Sequence, residues 1–404
     1  MLYFLGFIYI FFYTIPNIIL NYLQSKHIRL SLKKDPVILS PDDYVDAANY
    51  SLAKLKLSNI SSIVDAVMFI LWVYVGLSWL QDLSRDWGEN QNIISLAYVM
   101  VFLLIGFIVS LPLGYYTQMV LDKRYGFNKS SFSLYLKDLL KSLVMLIVIG
   151  GIVVFLIIEI IQNFYYWWLY GFFLIFGIAI LANVLYPTLI APIFNKFTPL
   201  NDEALSKKIE SMMMKVGFKS SGIFVMDASK RDGRLNAYFG GLGRSKRVVL
   251  FDTLLQKVSQ EGLLAILGHE LGHFKHKDII KNITIMGILL FVLFFVAGSI
   301  PDSVFEGLGV FPSSGLTIVF LLLISPVVSF WAMPIIGYFS RKAEYRADEY
   351  GSNLTNKRCL AEALIRLVNE NKSFPCSHPA YIFFYYTHPP LLERLRALDY
   401  HMEK

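Results

Sequence analysis

Gly268-His269-Glu270-Leu271-Gly272-His273 sets two imidazoles four residues apart with a carboxylate between them. On a helix, positions i and i+4 share one face, so both rings can reach one tetrahedral metal ion, and zinc suits such ligands. Glu270 is displaced around the helix from that face, where it can hold the metal's water and take its proton. Zinc lowers the pKa of such a water toward about 7, which yields a nucleophile at neutral pH. The competing reading is a chance match in an ordinary helix. It would put a charged Glu between two histidines in an otherwise apolar stretch, at a cost in free energy. Metal-assisted hydrolysis is the chemistry these residues fit.

A catalytic zinc needs a third protein ligand and one open position. His276 returns to the face of His269, but at about 1.5 Å rise per residue it lies roughly 10 Å along the axis, too far to share the metal. Beside Lys275 and Lys277 it reads as an interfacial residue. The stretch Ser340-Arg341-Lys342-Ala343-Glu344-Tyr345-Arg346-Ala347-Asp348 offers two carboxylates, Glu344 and Asp348, four apart and so on one face. Two readings stand. Glu344 binds zinc while Asp348 hydrogen-bonds a ligand histidine from behind, or both acids pair with Arg341 and Arg346 on a solvated helix.

The elements that must position these residues belong to a membrane protein. Of 404 residues, 55% are hydrophobic and 17% charged, against about 25% charged in soluble domains. Seven stretches are long and apolar enough to cross a bilayer, at about 2–23, 63–80, 93–118, 139–161, 166–194, 279–300 and 317–339. The first has no basic leader and no clear cleavage site, so it reads as a retained span. With seven spans, every Lys/Arg-rich loop falls on one side, and the opposite loops carry only Arg85; six spans would break that parity. The N-terminus then faces outward, and the loop 195–278 and the C-terminal tail face the cytoplasm. The net charge of +7 follows this asymmetry. No basic array with interleaved aromatics points to nucleic acid. Cys359 and Cys376 form neither a zinc pair nor a disulfide framework.

Four units follow: membrane helices one to five in 1–194, a small α/β insertion in 195–278, helices six and seven in 279–340, and a cytoplasmic segment 341–404 that completes the site. Within the insertion, a helix is expected over Asn201–Val216 and strands over Ile223–Met226 and Arg247–Phe251. Ser259 is the expected N-cap, with Glu261 in the first turn, of the helix carrying the histidines. Asp65, in the second span, is expensive facing lipid and is expected to line an interior space. Lys141 and Glu159 read as interfacial.

The HELGH helix, SRKAEYRAD after a membrane span and THPPLLER near the end occur in that order. Over essentially its full length the chain resembles the integral-membrane zinc CaaX prenyl proteases, relatives of the heat-shock-type membrane zinc proteases of bacteria. The resemblance implies a seven-helix barrel around a water-filled chamber, with one zinc held by His269, His273 and Glu344 and water activated by Glu270. It implies that His388 and Arg394 face the reaction centre, where a donor would stabilise a tetrahedral oxyanion. His388 also reads as a helix-entry residue ahead of Pro389 and Pro390. Asn236-Ala237-Tyr238-Phe239-Gly240-Gly241 matches the family's substrate-aligning strand in a zincin-like insertion. Its edge would pair with an extended peptide, with Asn236, Ala237 and Tyr238 as the substrate-binding residues.

The resulting expectation is a zinc endopeptidase acting on membrane-associated peptides. By resemblance these are prenylated CaaX proteins that lose their last three residues, in a bacterial inner membrane or the endoplasmic reticulum. The alternatives are a quality-control protease of misfolded membrane proteins and, in a different class, a chambered protein that binds lipid-linked ligands around a structural zinc. Substrate peptide and membrane lipid are the expected partners, and the sequence carries no signal of oligomeric state.

Overall fold

The computed structural model describes residues 2–241 and 246–400; Met1 and the last four residues of the C-terminal segment lie outside them. Among the described residues, seven helices are long and apolar enough to cross a membrane: α1 (Tyr3–Ser31), α2 (Pro41–Ser84), α3 (Gln91–Arg124), α4 (Phe132–Asn163), α5 (Trp167–Phe194), α8 (Asp278–Gly298) and α9 (Ser314–Leu354). The protein is multi-pass and membrane-integral. In the most apolar stretch of each helix only 6% (α5) to 33% (α2 and α9) of residues are buried in protein. The remaining apolar surface is matched by lipid rather than by side chains.

Neighbouring helices pack in the order α1, α2, α3, α4, α5, α8, α9, and α9 returns to α1, so the bundle closes into a ring. At one end α9 also crosses α3 closely, with Gly315 against the Ser95 backbone. Asp65, with Ser61 and Tyr9, lines a cavity of about 330 Å³ between α1, α2, α3 and α9. Lys141 donates to the Ile193 carbonyl at 2.7 Å, and Glu159 accepts from Asn92 and Asn163. Both therefore have partners where the helices end.

Between α5 and α8 lies the α/β insertion: β1 (Phe197–Pro199), α6 (Glu203–Val216), β2 (Ile223–Met226), β3 (Ala237–Gly240), β4 (Arg247–Phe251) and α7 (Gln260–Lys275). The strands form a sheet ordered β1-β2-β4-β3, with β2 and β4 parallel and the other pairs antiparallel. This leaves β3 at an edge. Local chemistry sets the helix ends. Ser259 Oγ accepts from Gly262 N–H at the start of α7, and Gly217, with φ +74, closes α6. Leu205, Ile209 and Met213 of α6 pack with Val248 and Leu250 of β4 and Leu267 and Leu271 of α7 in one core. The buried face of α7 is thereby fixed against the sheet, and the histidine face turns the other way.

The C-terminal part adds α10 (Lys357–Glu370), α11 (Pro379–Tyr385) and α12 (Leu391–Ala397). Residues 340 and 341 lie inside α9 rather than at a break. The last membrane helix runs 41 residues without interruption, so Glu344 and Asp348 sit on its extension beyond the apolar stretch. Pro326 and Pro334 are accommodated within it.

Candidate active site

His269 and His273 lie one turn apart on α7, and Glu344 approaches from α9. The Nε2 atoms of the two rings are 3.2 Å apart. Glu344 Oε2 stands 3.5 Å from His269 Nε2, and Oε1 stands 3.3 Å from His273 Nε2. Ligand atoms of a tetrahedral site with bonds of about 2.0–2.1 Å are separated by roughly 3.3 Å, the edge of that tetrahedron. The cluster therefore fits a catalytic zinc of the two-His, one-carboxylate type. Glu344 Oε2, buried and without a hydrogen-bond partner among the described residues, is left open as a ligand atom would be. His276 is outside the cluster, its ring beside Tyr350.

Close backbone approach makes this convergence possible. A Cβ on Gly272 would come within 2.8 Å of Ala347 Cα, and one on Gly351 within 2.5 Å of His269 N. Glycine at these crossings lets α7 and α9 touch along their main chains, which brings a short Glu side chain within reach of both rings.

Each ligand histidine is held from behind by a carboxylate. His269 Nδ1 pairs with Asp348 Oδ1 at 2.8 Å and His273 Nδ1 with Asp278 Oδ2 at 3.1 Å. Such partners fix the ring and present Nε2 to the metal. Arg394 grips Asp348 with two bonds, Nε to Oδ2 at 2.7 Å and Nη2 to Oδ1 at 2.6 Å. Its Nη1 is 3.5 Å from Glu344 Oε2. His388 Nε2 stands 3.3 Å from Glu344 Oε1.

Two cavities meet at this centre, one of about 500 Å³ containing Asn236, Ala237 and Arg394, the other of about 410 Å³ containing Phe239 and Gly240. Glu270 and His388 line both. The strand edge, the carboxylate and the metal cluster thus surround one space.

Known proteins match this arrangement over nearly the whole chain. Residues 22–196 match the model for the CAAX prenyl protease N-terminal region with five membrane helices, and residues 199–402 match peptidase family M48. The chain is 35% identical to CAAX prenyl protease 1 of Saccharomyces cerevisiae, covering 95% of this chain and 92% of that protein. It is 32% identical to the human CAAX prenyl protease 1 homolog, over 81% and 80% of the two chains. The crystal structure of S. mikatae Ste24p superposes with a TM-score of 0.86 at 32% identity, covering 98% of both chains.

The chain belongs to the CaaX prenyl protease family. With the His-His-Glu cluster in an M48 peptidase, it is a metal-dependent endopeptidase on a seven-helix membrane barrel.

Within this CaaX-protease site, burial pushes the Glu270 carboxyl above the usual range, and Glu344 adds to that while the two histidines and Arg394 oppose it. A carboxylate shifted toward neutrality is a better proton acceptor at pH 7. Burial lowers the His388 pKa; Glu344 opposes this, whereas Arg394 and the ligand histidines reinforce it. That direction favours the neutral ring, which can donate from one nitrogen. Its side chain is 65% exposed, and the space it opens into is that of the two cavities.

For His273, burial pulls the pKa down, but the hydrogen bond to Glu344 and the charges of Glu344 and Glu270, with Asp278 behind, hold it up to about 9. Below that pH a metal must displace a proton from the ring. Zinc affinity is expected to fall about tenfold for each unit that pH drops from 8 to 6. Competition against a chelator of known proton dependence measures it; a flat profile would show that His273 binds no proton there.

Two placements differ from what the motifs alone suggest. Asn236 Oδ1 accepts from the N–H of Ala237 at 2.9 Å, so in this structure its amide is folded onto its own strand. Tyr238 is not brought to the centre: its ring lies beside Tyr186 of α5, in a third cavity next to Pro187. Phe239, the next residue of the same strand motif, lines the second cavity instead. Asp278 was also missed. Its position five residues after His273, opening the next helix, was the available signal, but its role depends on the turn at Lys277, where φ is +56.

Proposed function

We propose that this chain is a zinc endopeptidase that removes the last three residues of prenylated CaaX proteins. One observation carries the peptidase part: three ligand atoms converge beside an open strand edge, with Glu270 at the junction of two cavities. The CaaX part is supported by the names of its full-length relatives.

In this reading His269, His273 and Glu344 hold one zinc, which when bound acidifies water and polarises the scissile carbonyl. Glu270 takes the proton of the attacking water and passes it to the leaving amine. His388 donates a hydrogen bond to the oxyanion. Arg394 acts through Asp348, holding it so that His269 keeps its tautomer and direction. The edge of β3, from Asn236 onward, holds the substrate backbone by strand pairing. Asn236 swings off Ala237 to take a substrate amide. The basic loops support an orientation with the N-terminus outside and the site and C-terminus in the cytoplasm. The boundaries at residues 194 and 278 separate barrel from peptidase unit, and α9 joins the two. A structural zinc would be closed by four protein ligands; among the described residues the cluster has three.

The test offers purified protein two peptides of identical sequence ending in a CaaX box, one farnesylated. Cleavage after the modified Cys is expected, with kcat/KM at least about tenfold higher for the farnesylated peptide, well within what burying such a chain can supply. Equal cleavage of both would remove the prenyl requirement and leave a general membrane peptidase.

A further inference from the structure

The free edge of β3 has a defined end. The Asn236 carbonyl accepts from the N–H of Phe251 at 3.1 Å, continuing the β3–β4 register. Backbone groups alternate sides along a strand. Asn236, Tyr238 and Gly240 therefore serve β4, whereas Leu235, Ala237 and Phe239 face the open side. Ala237 N–H is held by Asn236 Oδ1 at 2.9 Å, a bond that Asn236 gives up when it swings to substrate, but its carbonyl is left for a peptide. At Leu235 both groups are taken. Asn371 Oδ1 accepts from Leu235 N–H at 2.8 Å, and Asn371 Nδ2 donates to the Leu235 carbonyl at 3.3 Å. One side-chain amide thus makes both bonds that a residue of an adjoining strand would make.

The amide is anchored rather than loose. Asn371 ends α10, with its N–H on the Leu367 carbonyl. Lys372 follows in the left-handed region at φ +45, its Nζ 2.8 Å from Asp46 Oδ2. Asn371 and Phe374 then form part of the wall of the 500 Å³ cavity that also contains His269 and Glu270.

We infer that Asn371 is a specificity-determining residue: its amide ends the pairing edge of β3 and so limits how much of the leaving peptide lies on the sheet. The inference rests on the peptidase reading above, which also orients the substrate. Gly240 and Gly241, at the far end of the strand, border the cavity walled by Ile180 and Ile283 of the apolar helices α5 and α8. A lipid-bearing residue before the cut bond belongs at that end, so the leaving segment runs toward Leu235. Glu270 and His388 line both cavities, with Ala237 in the first and Phe239 in the second, so the reacting bond is taken to lie where the two meet, opposite the Tyr238 main chain. From there to Leu235 is three residues, roughly 10 Å of extended chain. A tripeptide fits that length; a longer segment must turn off the sheet at Asn371.

Two farnesylated peptides, with three and with six residues after the Cys, test this in the full chain. The wild type is expected to prefer the shorter by about tenfold in kcat/KM, the scale of one or two net hydrogen bonds. Asn371→Ala should bring that ratio to within about twofold and speed hydrogen exchange at the Leu235 amide. Asn371→Asp, which keeps an acceptor for Leu235 N–H, should retain most of the preference. A wild type that does not discriminate, or an Asn371→Ala variant that loses activity on both peptides in equal proportion, overturns the assignment. Failure of the wild type to cut either peptide sinks the peptidase reading, and the assignment with it.

Discussion

Glu270→Gln leaves the metal bound and lowers turnover by about 10²- to 10⁴-fold, the usual contribution of a positioned acid–base group. The glutamine side chain has nearly the same shape and still offers hydrogen bonds, but it cannot take a proton. Glu270 is not one of the three residues whose ligand atoms converge, so its charge is dispensable for holding the ion. Its place is the junction of the two cavities, where a peptide on the β3 edge and an attacking water would meet. Metal content by elemental analysis and turnover of one peptide are measured on the same preparation. Wild-type turnover in the variant would take Glu270 out of the mechanism. Loss of the metal would instead place it among the groups that hold the ion.

Gly351→Ala is expected to cost more than its distance from the chemistry suggests. The added carbon would meet the His269 backbone N at 2.5 Å and its Cα at 2.8 Å. Those are main-chain atoms inside a packed helix, so no side chain can turn aside to make room. Overpacking of this kind costs about 1–3 kcal/mol, and the relief available is for α7 and α9 to separate. Glu344 spans the gap at 3.3 and 3.5 Å to the two Nε2 atoms, and a shift of a few tenths of an ångström in the helices is passed directly to it. The same shift strains the Asp348 contact with His269, since Asp348 lies on α9 as well. Metal affinity should drop at least about 10- to 100-fold, the range found when the support of a ligand is lost. Chelator competition measures it, and an unchanged affinity would show that the helices can part without moving Glu344.

The sequence by itself determined whatever depends on neighbours along the chain. The i, i+4 spacing of His269 and His273 needs only a helix to become a bidentate face. The Ser259 cap, the two strands Ile223–Met226 and Arg247–Phe251, and the seven spans are likewise set by local periodicity and by the length of a bilayer. The choice of Glu344 over a solvated charged helix was not local: from the residues alone both readings stood, and resemblance separated them before the geometry did. Burial of Glu344 and Asp348, at 3% and 1% exposure, is a property of how α9 crosses α7. No spacing within either helix encodes it.

Tertiary structure alone decided the rest. Asp278 became the partner of His273 because a left-handed residue at Lys277 turns the chain between α7 and α8 and brings the first residue of α8 to the ring. Arg394 became a support for Asp348 because α12 packs at the far side of that carboxylate. Tyr238 turned toward the membrane helices because alternation along β3 gives neighbouring side chains opposite faces, and only the packed sheet settles which face meets the cavity. These are contacts between residues far apart in the chain or on different elements. They leave no period in the sequence, because what places them is the way whole helices and strands pack, and that packing is shared among many side chains at once.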